Sequence, residues 1–172
     1  MTSPETPAAG DLAAVAQQLG REPRAVTAIA HRCPCRLPDV VQTAPRLADG
    51  TPFPTLYYLT CPRAIAAMSR LEATGVMREM TARLHADAGL QERYLAAHHD
   101  YLRRRDEAAE EAGLEPLPPG TQSAGGMPDR VKCLHALAAH ALAVPGLNPL
   151  GAEAVEAAGQ WWQAGPCVAQ GN

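Results

Sequence analysis

The front third of the chain contains three short segments in which apolar residues alternate with polar or small ones, a pattern typical of β-strands. The segments are AVTAIAH at 25–31, DVVQTAPRL at 39–47 and TPFPTLYYLT at 51–60. Asp49 and Gly50, between the last two, predict a tight hairpin turn. The prolines in these segments indicate irregular pairing. We therefore expect a small antiparallel three-stranded sheet over about residues 25–60.

Apolar residues recur at helical spacing on both sides of this predicted sheet. A short helix is predicted to begin at Asp11, a typical N-cap residue, and to end at Gly20. After Cys61 the apolar spacing changes to three or four residues, which predicts a helical run that Gly75 interrupts. A long helix is predicted over 90–112.

Two further helices are predicted in the last third of the chain, after a Pro- and Gly-rich loop that ends near residue 128. Pro128 is suited to the first turn of the helix DRVKCLHALAAHALA, so Cys133 is expected within the first turns of that helix. Asn148 followed by Pro149 predicts the start of the last helix. Together the elements predict an α+β fold in which four to five helices pack with the sheet.

These elements define one domain over residues 11–165. Residues 1–10 are rich in Pro, Ser and Thr and are expected to be a disordered tail, and residues 166–172 are expected to be a flexible C-terminal tail. A chain of 172 residues is long enough for one sizeable core. Its hydrophobic content of 47% includes only 4% aromatic residues, which indicates an alanine-rich core.

The net charge of −3 argues against a strongly basic nucleic-acid-binding surface. No apolar run reaches the roughly 18–20 residues needed to span a bilayer, and the first twenty residues lack the basic and apolar regions of a signal peptide. We therefore expect a cytoplasmic protein without a membrane partner. In that reducing compartment the five cysteines are not expected to form a disulfide framework.

Four of the five cysteines fall at junctions between predicted elements. Cys33 and Cys35 follow the first strand, Cys61 follows the third strand, and Cys133 lies near the start of a helix. In a three-stranded meander the first and third strands run in the same direction, so their C-terminal ends lie on the same side of the sheet. We therefore predict that Cys33, Cys61 and Cys133 share one metal site, with Cys35 as a candidate fourth ligand.

Basic residues adjoin these cysteines in the sequence, namely Arg32, Arg63 and Lys132. Positive charge and helix N-termini favour the thiolate, the form that binds soft metals and iron–sulfur clusters. Lys132 is the single lysine among 15 basic residues, and lysine supplies a compact charge that arginine does not reproduce. We predict that Lys132 faces the cysteine site or the loop 120–128, and that Lys132 and Arg63 bind an anionic substrate or cofactor.

The same residues also have a plain structural interpretation. Cysteine is among the most often buried residues, and the spacing of these cysteines matches no zinc-finger template. Cys167, near the C-terminus, is expected to be incidental. His135 follows Cys133 by two positions, so on a helix the two side chains would point apart, and His135 is expected to have an ordinary structural role.

The segment RCPCRLPDVVQTAPRLADGTPFPTLYYLTCPRA resembles the bacterial family catalogued as domain of unknown function 501. LEATGVM, SAGGMPDRVKCLHALAAH and NPLG extend the resemblance, which covers about residues 18–152. It implies no activity, but it implies that the segments around Cys33, Cys61 and Cys133 are motifs of the family. Because the family accepts an aromatic residue at the position of Cys35, the resemblance implies a set of three cysteines.

Three functions are consistent with these residues. In the first, three cysteines hold a [4Fe–4S] cluster, or alternatively zinc, with one coordination position open for a small anionic or nucleotide-type substrate. In the second, four cysteines close a structural zinc site in a non-enzymatic interaction module, and residues 160–162 (QWW) contribute to a partner surface. In the third, Cys33 and Cys35 form a redox pair, which the strain of a C-x-C disulfide disfavours. We favour the first.

Overall fold

The computed structural model describes residues 3–169. Within them a three-stranded antiparallel sheet packs with six helices, which confirms the predicted α+β fold with more helices than expected. The strands, in the spatial order β1–β2–β3, are β1 (Val26–Arg32), β2 (Pro38–Thr43) and β3 (Tyr57–Leu59). The helices are α1 (Ala9–Leu19), α2 (Pro62–Glu72), α3 (Val76–Ala86), α4 (Ala88–Glu111), α5 (Leu134–Ala143) and α6 (Pro149–Ala158).

Both faces of the sheet are covered. On one face Val15 of α1 forms a small apolar cluster with Ile29 and Val41. On the other face Val40 and Tyr57 belong to the main core, which the later helices complete. Because neighbouring residues of a strand point to opposite faces, this cover on two sides explains why β2 is buried along nearly its whole length.

Strands β2 and β3 are shorter than the apolar pattern predicted. β2 ends at Thr43, and β3 contains three residues. Residues 44–56 form a loop between them, because the three prolines in this segment cannot donate backbone hydrogen bonds. The turn predicted at Asp49 and Gly50 lies within this loop, where Gly50 has a φ of 85° and its N–H donates to the Leu47 carbonyl.

Residues 3–8, which belong to the segment predicted to be a disordered tail, run along the outer edge of β1. Glu5 and Ile29 exchange two backbone hydrogen bonds of 2.9 and 2.8 Å, and the Glu5 carboxylate lies 2.8 Å from Arg32 Nε. The segment therefore adds one more bridge to the sheet. Residues 9 and 10 of the same predicted tail begin α1, and the parts of the predicted tails at 1–2 and 170–172 lie outside the described residues.

Two predicted helix boundaries agree with the structure. Gly75 separates α2 from α3 and adopts a φ of 85°, a conformation that glycine tolerates better than other residues. Asn148 is the N-cap of α6, where its side chain accepts a 2.8 Å hydrogen bond from the Gly151 N–H.

The start of α5 differs from the prediction. The helix begins at Leu134 rather than near Pro128, and Cys133 is its N-cap, with an extended backbone (φ −150°, ψ 112°). The reason is that the N–H groups of Lys132 and Cys133 both donate to the Gly125 carbonyl, at 2.7 and 3.4 Å. The loop before the helix therefore holds these residues in a non-helical conformation.

Helix α5 lies at the centre of the helical layer and packs against both α6 and β3. Helix α5 lies so close to α6 that a Cβ at Gly151 would clash with the carbonyl of Leu137. The two helices therefore pack backbone against backbone at this point. None of the helices in residues 3–169 is long and apolar enough to cross a lipid bilayer.

Candidate functional site

The extended backbone of Cys133 brings its side chain beside that of His135. Cys133 is extended while His135 lies in the first turn of α5, so the angle expected between two residues of one helix does not apply across the N-cap. Cys133 Sγ lies 3.9 Å from His135 Nδ1. The expectation that these two side chains point apart is therefore wrong, because it assumed a helix start several residues too early.

Glu72, the last residue of α2, completes a group of three side chains. Its Oε1 lies 3.1 Å from His135 Nδ1 and accepts a 2.8 Å hydrogen bond from the Leu134 N–H. One ligand atom each from Glu72, Cys133 and His135 lies within 4.8 Å of the other two. Among residues 3–169 this is the only such group of three or more Cys, His, Asp or Glu side chains.

The second ring nitrogen of His135 faces α2. Its Nε2 lies 3.2 Å from the Ile65 carbonyl oxygen and 3.2 Å from Ser69 Oγ. A carbonyl oxygen only accepts hydrogen bonds, so its position favours a hydrogen on Nε2. In the neutral ring the lone pair of Nδ1 then faces the carboxylate of Glu72 and the sulfur of Cys133. Three electron-pair donors that converge in this way favour a bound cation.

The group is open to solvent and to two cavities. The side chains of His135 and Glu72 are 27% and 25% exposed, and Cys133 is half-buried. A cavity of about 580 Å³, called here the loop cavity, is lined by Cys133, Lys132, Thr55 and most of loop 122–130. A second cavity of about 320 Å³, called the apolar cavity, is lined mainly by apolar side chains from α1, β3, α2 and α5 and also contacts Cys133 and His135.

The loop beside Cys133 depends on two glycines. Gly125 and Gly126 have φ values of 61° and 94°. A Cβ on Gly126 would lie 2.6 Å from the Arg130 carbonyl and 3.0 Å from the Lys132 nitrogen, so no larger residue fits without a shift of the backbone.

Arg105 of α4 is hydrogen-bonded to the backbone of the two loops that line the loop cavity. Its side chain is 2% exposed, and it donates to the carbonyls of Pro54 (3.1 Å), Gln122 (2.6 Å) and Thr121 (3.3 Å). Burial lowers the pKa of this guanidinium below its usual range. These bonds tie the loop before β3 to the loop before α5, so both walls of the cavity are fixed to α4.

The two basic residues predicted to bind an anion lie in different places. Lys132 lines the loop cavity together with Gly125 and Gly126, which agrees with the expectation that it faces this loop. Arg63 instead donates a 2.5 Å hydrogen bond to the Gly165 carbonyl in the C-terminal segment. Their predicted roles in substrate or cofactor binding stay predictions.

Cys33 lies in a buried position directly after β1, where its thiol interacts with Cys35 and Asp39. Burial raises the pKa of the Cys33 thiol to about 12, and the interaction with the Cys35 side chain acts in the same direction. Asp39 is fully buried, and its Oδ1 lies 2.6 Å from His31 Nδ1. This end of the sheet therefore holds a thiol pair beside an acid–imidazole pair.

Cys61 is the buried N-cap of α2, and its thiol interacts with that of Cys167. Burial raises the pKa of Cys61 to about 11. Cys167 also accepts a 3.3 Å hydrogen bond from Gln18 Nε2 and packs against the main core. Cys167 was expected to be incidental, but it pairs with one of the predicted ligands.

The structure does not gather Cys33, Cys61 and Cys133 into one ligand group within residues 3–169. The meander does place the C-terminal ends of β1 and β3 on the same side, but β2 lies between them, which separates the strands by roughly 10 Å. Cys61 and Glu72 lie at opposite ends of α2, about 16 Å apart along its axis. Cys133 lies at the Glu72 end of α2, away from Cys61.

Sequence reasoning missed two members of the group, Glu72 and His135. His135 was set aside because of the assumed helix start. The signal that was available is the C-x-H pair itself, which places two metal-ligand types close together in the sequence at the start of a helix. Glu72 had no local signal, because its relation to Cys133 depends on how α2 packs against α5.

The fold and this site together define an α+β protein with a three-residue group of metal-ligand type at the meeting point of two cavities. Residues 29–156 match the model of the family described as "Protein of unknown function (DUF501)". The chain therefore belongs to this family, and the matched span includes Glu72, Cys133 and His135. No curated protein and no solved structure matches the chain.

Proposed function

We propose that this protein binds one zinc ion through Glu72, Cys133 and His135 and is an enzyme that acts on a small anionic substrate at the open coordination position. One observation carries the proposal. His135 Nδ1 faces both Glu72 Oε1 and Cys133 Sγ, while the Ile65 carbonyl holds the opposite ring nitrogen.

The spacing of the donor atoms suits this ion. Tetrahedral zinc with ordinary bond lengths separates sulfur from nitrogen by about 3.6 Å and nitrogen from oxygen by about 3.4 Å. The observed separations are 3.9 Å for Cys133 Sγ to His135 Nδ1 and 3.1 Å for His135 Nδ1 to Glu72 Oε1. Three protein ligands with a free fourth position are typical of catalytic rather than structural zinc.

The surroundings orient the three side chains. Metal-bound histidines usually donate their other N–H to a carbonyl or carboxylate, and the Ile65 carbonyl is in that position. The Leu134 N–H, at the N-terminus of α5, holds the Glu72 carboxylate. A helix N-terminus favours negative charge, so the start of α5 suits a site with an anionic ligand such as the Glu72 side chain.

Bound zinc would supply Lewis-acid chemistry and an activated water. The residues of the chain would attract and position the substrate. The loop cavity is lined by two cationic side chains, Lys132 and Arg130, and by one carboxylate, Asp129. The buried Arg105, which donates to the Gln122 carbonyl at the edge of this cavity, adds a further positive charge. This charge distribution favours an anionic substrate. A reducing cytoplasm would keep the thiol of Cys133 available as a ligand.

The alternatives from the sequence have less structural support. A [4Fe–4S] cluster on Cys33, Cys61 and Cys133 requires three thiolates around one cluster, and the described residues group Cys133 with an imidazole and a carboxylate instead. A four-cysteine zinc site on Cys33, Cys35, Cys61 and Cys133 would require four thiols to converge, whereas Cys33 interacts with Cys35, Cys61 interacts with Cys167, and Cys133 lies with Glu72 and His135. We retain both as outcomes of the test below.

The test is a metal analysis of protein purified without oxygen. Zinc, iron and acid-labile sulfide are measured in the natural protein and in Glu72→Gln, Cys133→Ser and His135→Gln. Cys33→Ser and Cys61→Ser are the matched controls. We expect about one zinc per chain in the natural protein and both controls, and at least a tenfold weaker affinity for zinc in the three ligand variants.

Other results have defined meanings. Iron and sulfide that disappear in Cys33→Ser, Cys61→Ser and Cys133→Ser alike would replace the proposal with the iron–sulfur cluster. Zinc that requires Cys33 and Cys61 but not His135 would favour the structural module. A natural protein that is folded, metal-free and unable to take up added zinc would contradict any metal function.

A further inference from the structure

Cys133 lies where the loop cavity and the apolar cavity meet. Three residues line both cavities, namely Thr55, Cys133 and Ala136. A molecule bound at Cys133 can therefore extend into both cavities, and His135 lines the second of them.

The two cavities differ in chemistry. The loop cavity carries two cationic side chains, Arg130 and Lys132, against one carboxylate. The apolar cavity is lined by Leu19, Leu59 and Ile65 and by the ring of Tyr58. Among residues 3–169 no Asp, Glu, Lys or Arg lines it, and its one histidine is His135. One side of the site therefore suits an anionic group, and the other side suits a hydrocarbon chain.

We infer that the substrate of this site is an amphipathic anion, an alkyl or acyl chain joined to a carboxylate or phosphate head. The head binds beside Lys132 and the chain occupies the apolar cavity, so the junction between them lies next to Cys133. That this junction faces an open coordination position rests on the proposed function, whereas the binding mode rests only on the two cavities. Their sizes, about 580 and 320 Å³, fall in the usual range for small-molecule sites.

The test is isothermal titration calorimetry with a series of probes. Butyl, hexyl and octyl phosphate vary the chain, inorganic phosphate and octanol remove the chain or the charge, and octanoate replaces the phosphate head. Each buried methylene strengthens binding by about fourfold. We therefore expect affinity to rise by up to roughly 250-fold from butyl to octyl phosphate, and octanol to bind more weakly than octyl phosphate. Whichever of octyl phosphate and octanoate binds with the higher affinity identifies the preferred head group.

Variants separate the two halves of the site. Lys132→Met is expected to lower the affinity for octyl phosphate and octanoate toward that for octanol, without changing the dependence on chain length. Leu19→Asp places a charge in the apolar cavity and is expected to abolish the dependence on chain length. Tyr58→Asp makes the same test from β3, so the result does not depend on the folding of α1 alone. Circular dichroism confirms that each variant is folded.

The same titrations on Cys133→Ser protein distinguish this inference from the proposed function. If neither protein binds zinc but octyl phosphate still binds better than butyl phosphate, the inference stands and the proposed function fails. If the natural protein binds zinc but its affinity for the alkyl phosphates does not depend on chain length, the inference is overturned and the metal site stands. Dependence on chain length that persists in both Leu19→Asp and Tyr58→Asp also overturns it.

Discussion

Cys133 Sγ lies 3.9 Å from His135 Nδ1 although the two residues flank the first residue of α5. This proximity exists because Cys133 is extended and not helical, and its N–H donates to the Gly125 carbonyl. The geometry of the candidate site is therefore set by the loop before the helix, and changes in that loop are expected to reach the site.

Gly126→Ala tests this dependence. A Cβ at residue 126 would lie 2.6 Å from the Arg130 carbonyl in a backbone of positive φ, so the loop must shift. We expect a loss of about 2 kcal/mol in the free energy of unfolding and a weaker affinity for zinc. Gly120→Ala is the matched control, since Gly120 has a similar φ of 84° but no atom within 4 Å. It should lose less stability and retain zinc affinity, and equal effects of the two changes would contradict the argument.

The thiols are expected to differ in reactivity. Burial raises the pKa of Cys33 to about 12 and that of Cys61 to about 11, so at pH 8 both remain almost entirely protonated and poorly nucleophilic. Cys133 is half-buried beside a cavity. In metal-free folded protein we expect iodoacetamide to label Cys133 at least tenfold faster than Cys33 or Cys61, as measured by peptide mass spectrometry.

Unfolding in urea provides the control for this labelling experiment. Once burial is lost, all five cysteines should react at similar rates. Fast labelling of Cys33 or Cys61 in the folded protein would show that the buried thiol pairs are more accessible than the structure indicates.

The contact between α5 and α6 predicts a large effect of one methyl group. Gly151→Ala introduces a Cβ that would clash with the Leu137 carbonyl, so the helices must separate. We expect a loss of at least about 2 kcal/mol in the free energy of unfolding, measured by urea denaturation. Gly10→Ala in α1 is the control, because no atom lies within 4 Å of its added Cβ. It should raise stability by up to about 1 kcal/mol.

Asp100 of α4 predicts a dependence of stability on pH. Partial burial by itself raises the pKa of this carboxyl, but interactions with neighbouring groups outweigh that effect and lower the pKa overall. These neighbours are His140, Arg104 and Arg103. A carboxyl whose pKa is lower in the folded state stabilises the fold above its unfolded pKa of about 3.9, and the contribution is lost as the pH falls below that value.

We therefore expect Asp100→Asn to lower the urea midpoint at pH 7 and pH 5, with a smaller difference from the natural protein at pH 3. Asp106→Asn, at an exposed position of the same helix, is the control and should show little difference at any of these pH values. A deficit of Asp100→Asn that stays constant down to pH 3 would contradict the ionic origin of the effect.

Several elements of the fold were predictable because their causes are local. Gly75 separates α2 from α3 and adopts a positive φ at the N-cap of α3, and Asn148 caps α6 through its own side chain. The order of the meander follows the order of the apolar segments along the chain. Lys132 could be placed beside the Gly-rich loop because the two are close in the sequence.

The boundaries that depend on distant contacts were not predictable. The helical pattern after Pro128 contains no sign that the Gly125 carbonyl would take the N–H groups of Lys132 and Cys133. The first and third strands were correctly expected to run in the same direction, but the distance that β2 places between Cys33 and Cys61 depends on the assembled sheet.

The sequence by itself determined the fold class, the interruption at Gly75 and the cap at Asn148, because each depends on neighbouring residues. The tertiary structure alone decided which side chains Cys133 meets. Glu72 lies 61 positions from Cys133, and the two come together because α2 packs against α5 in the core. Packing of that kind follows from the shape of the whole domain and not from any short segment of its sequence.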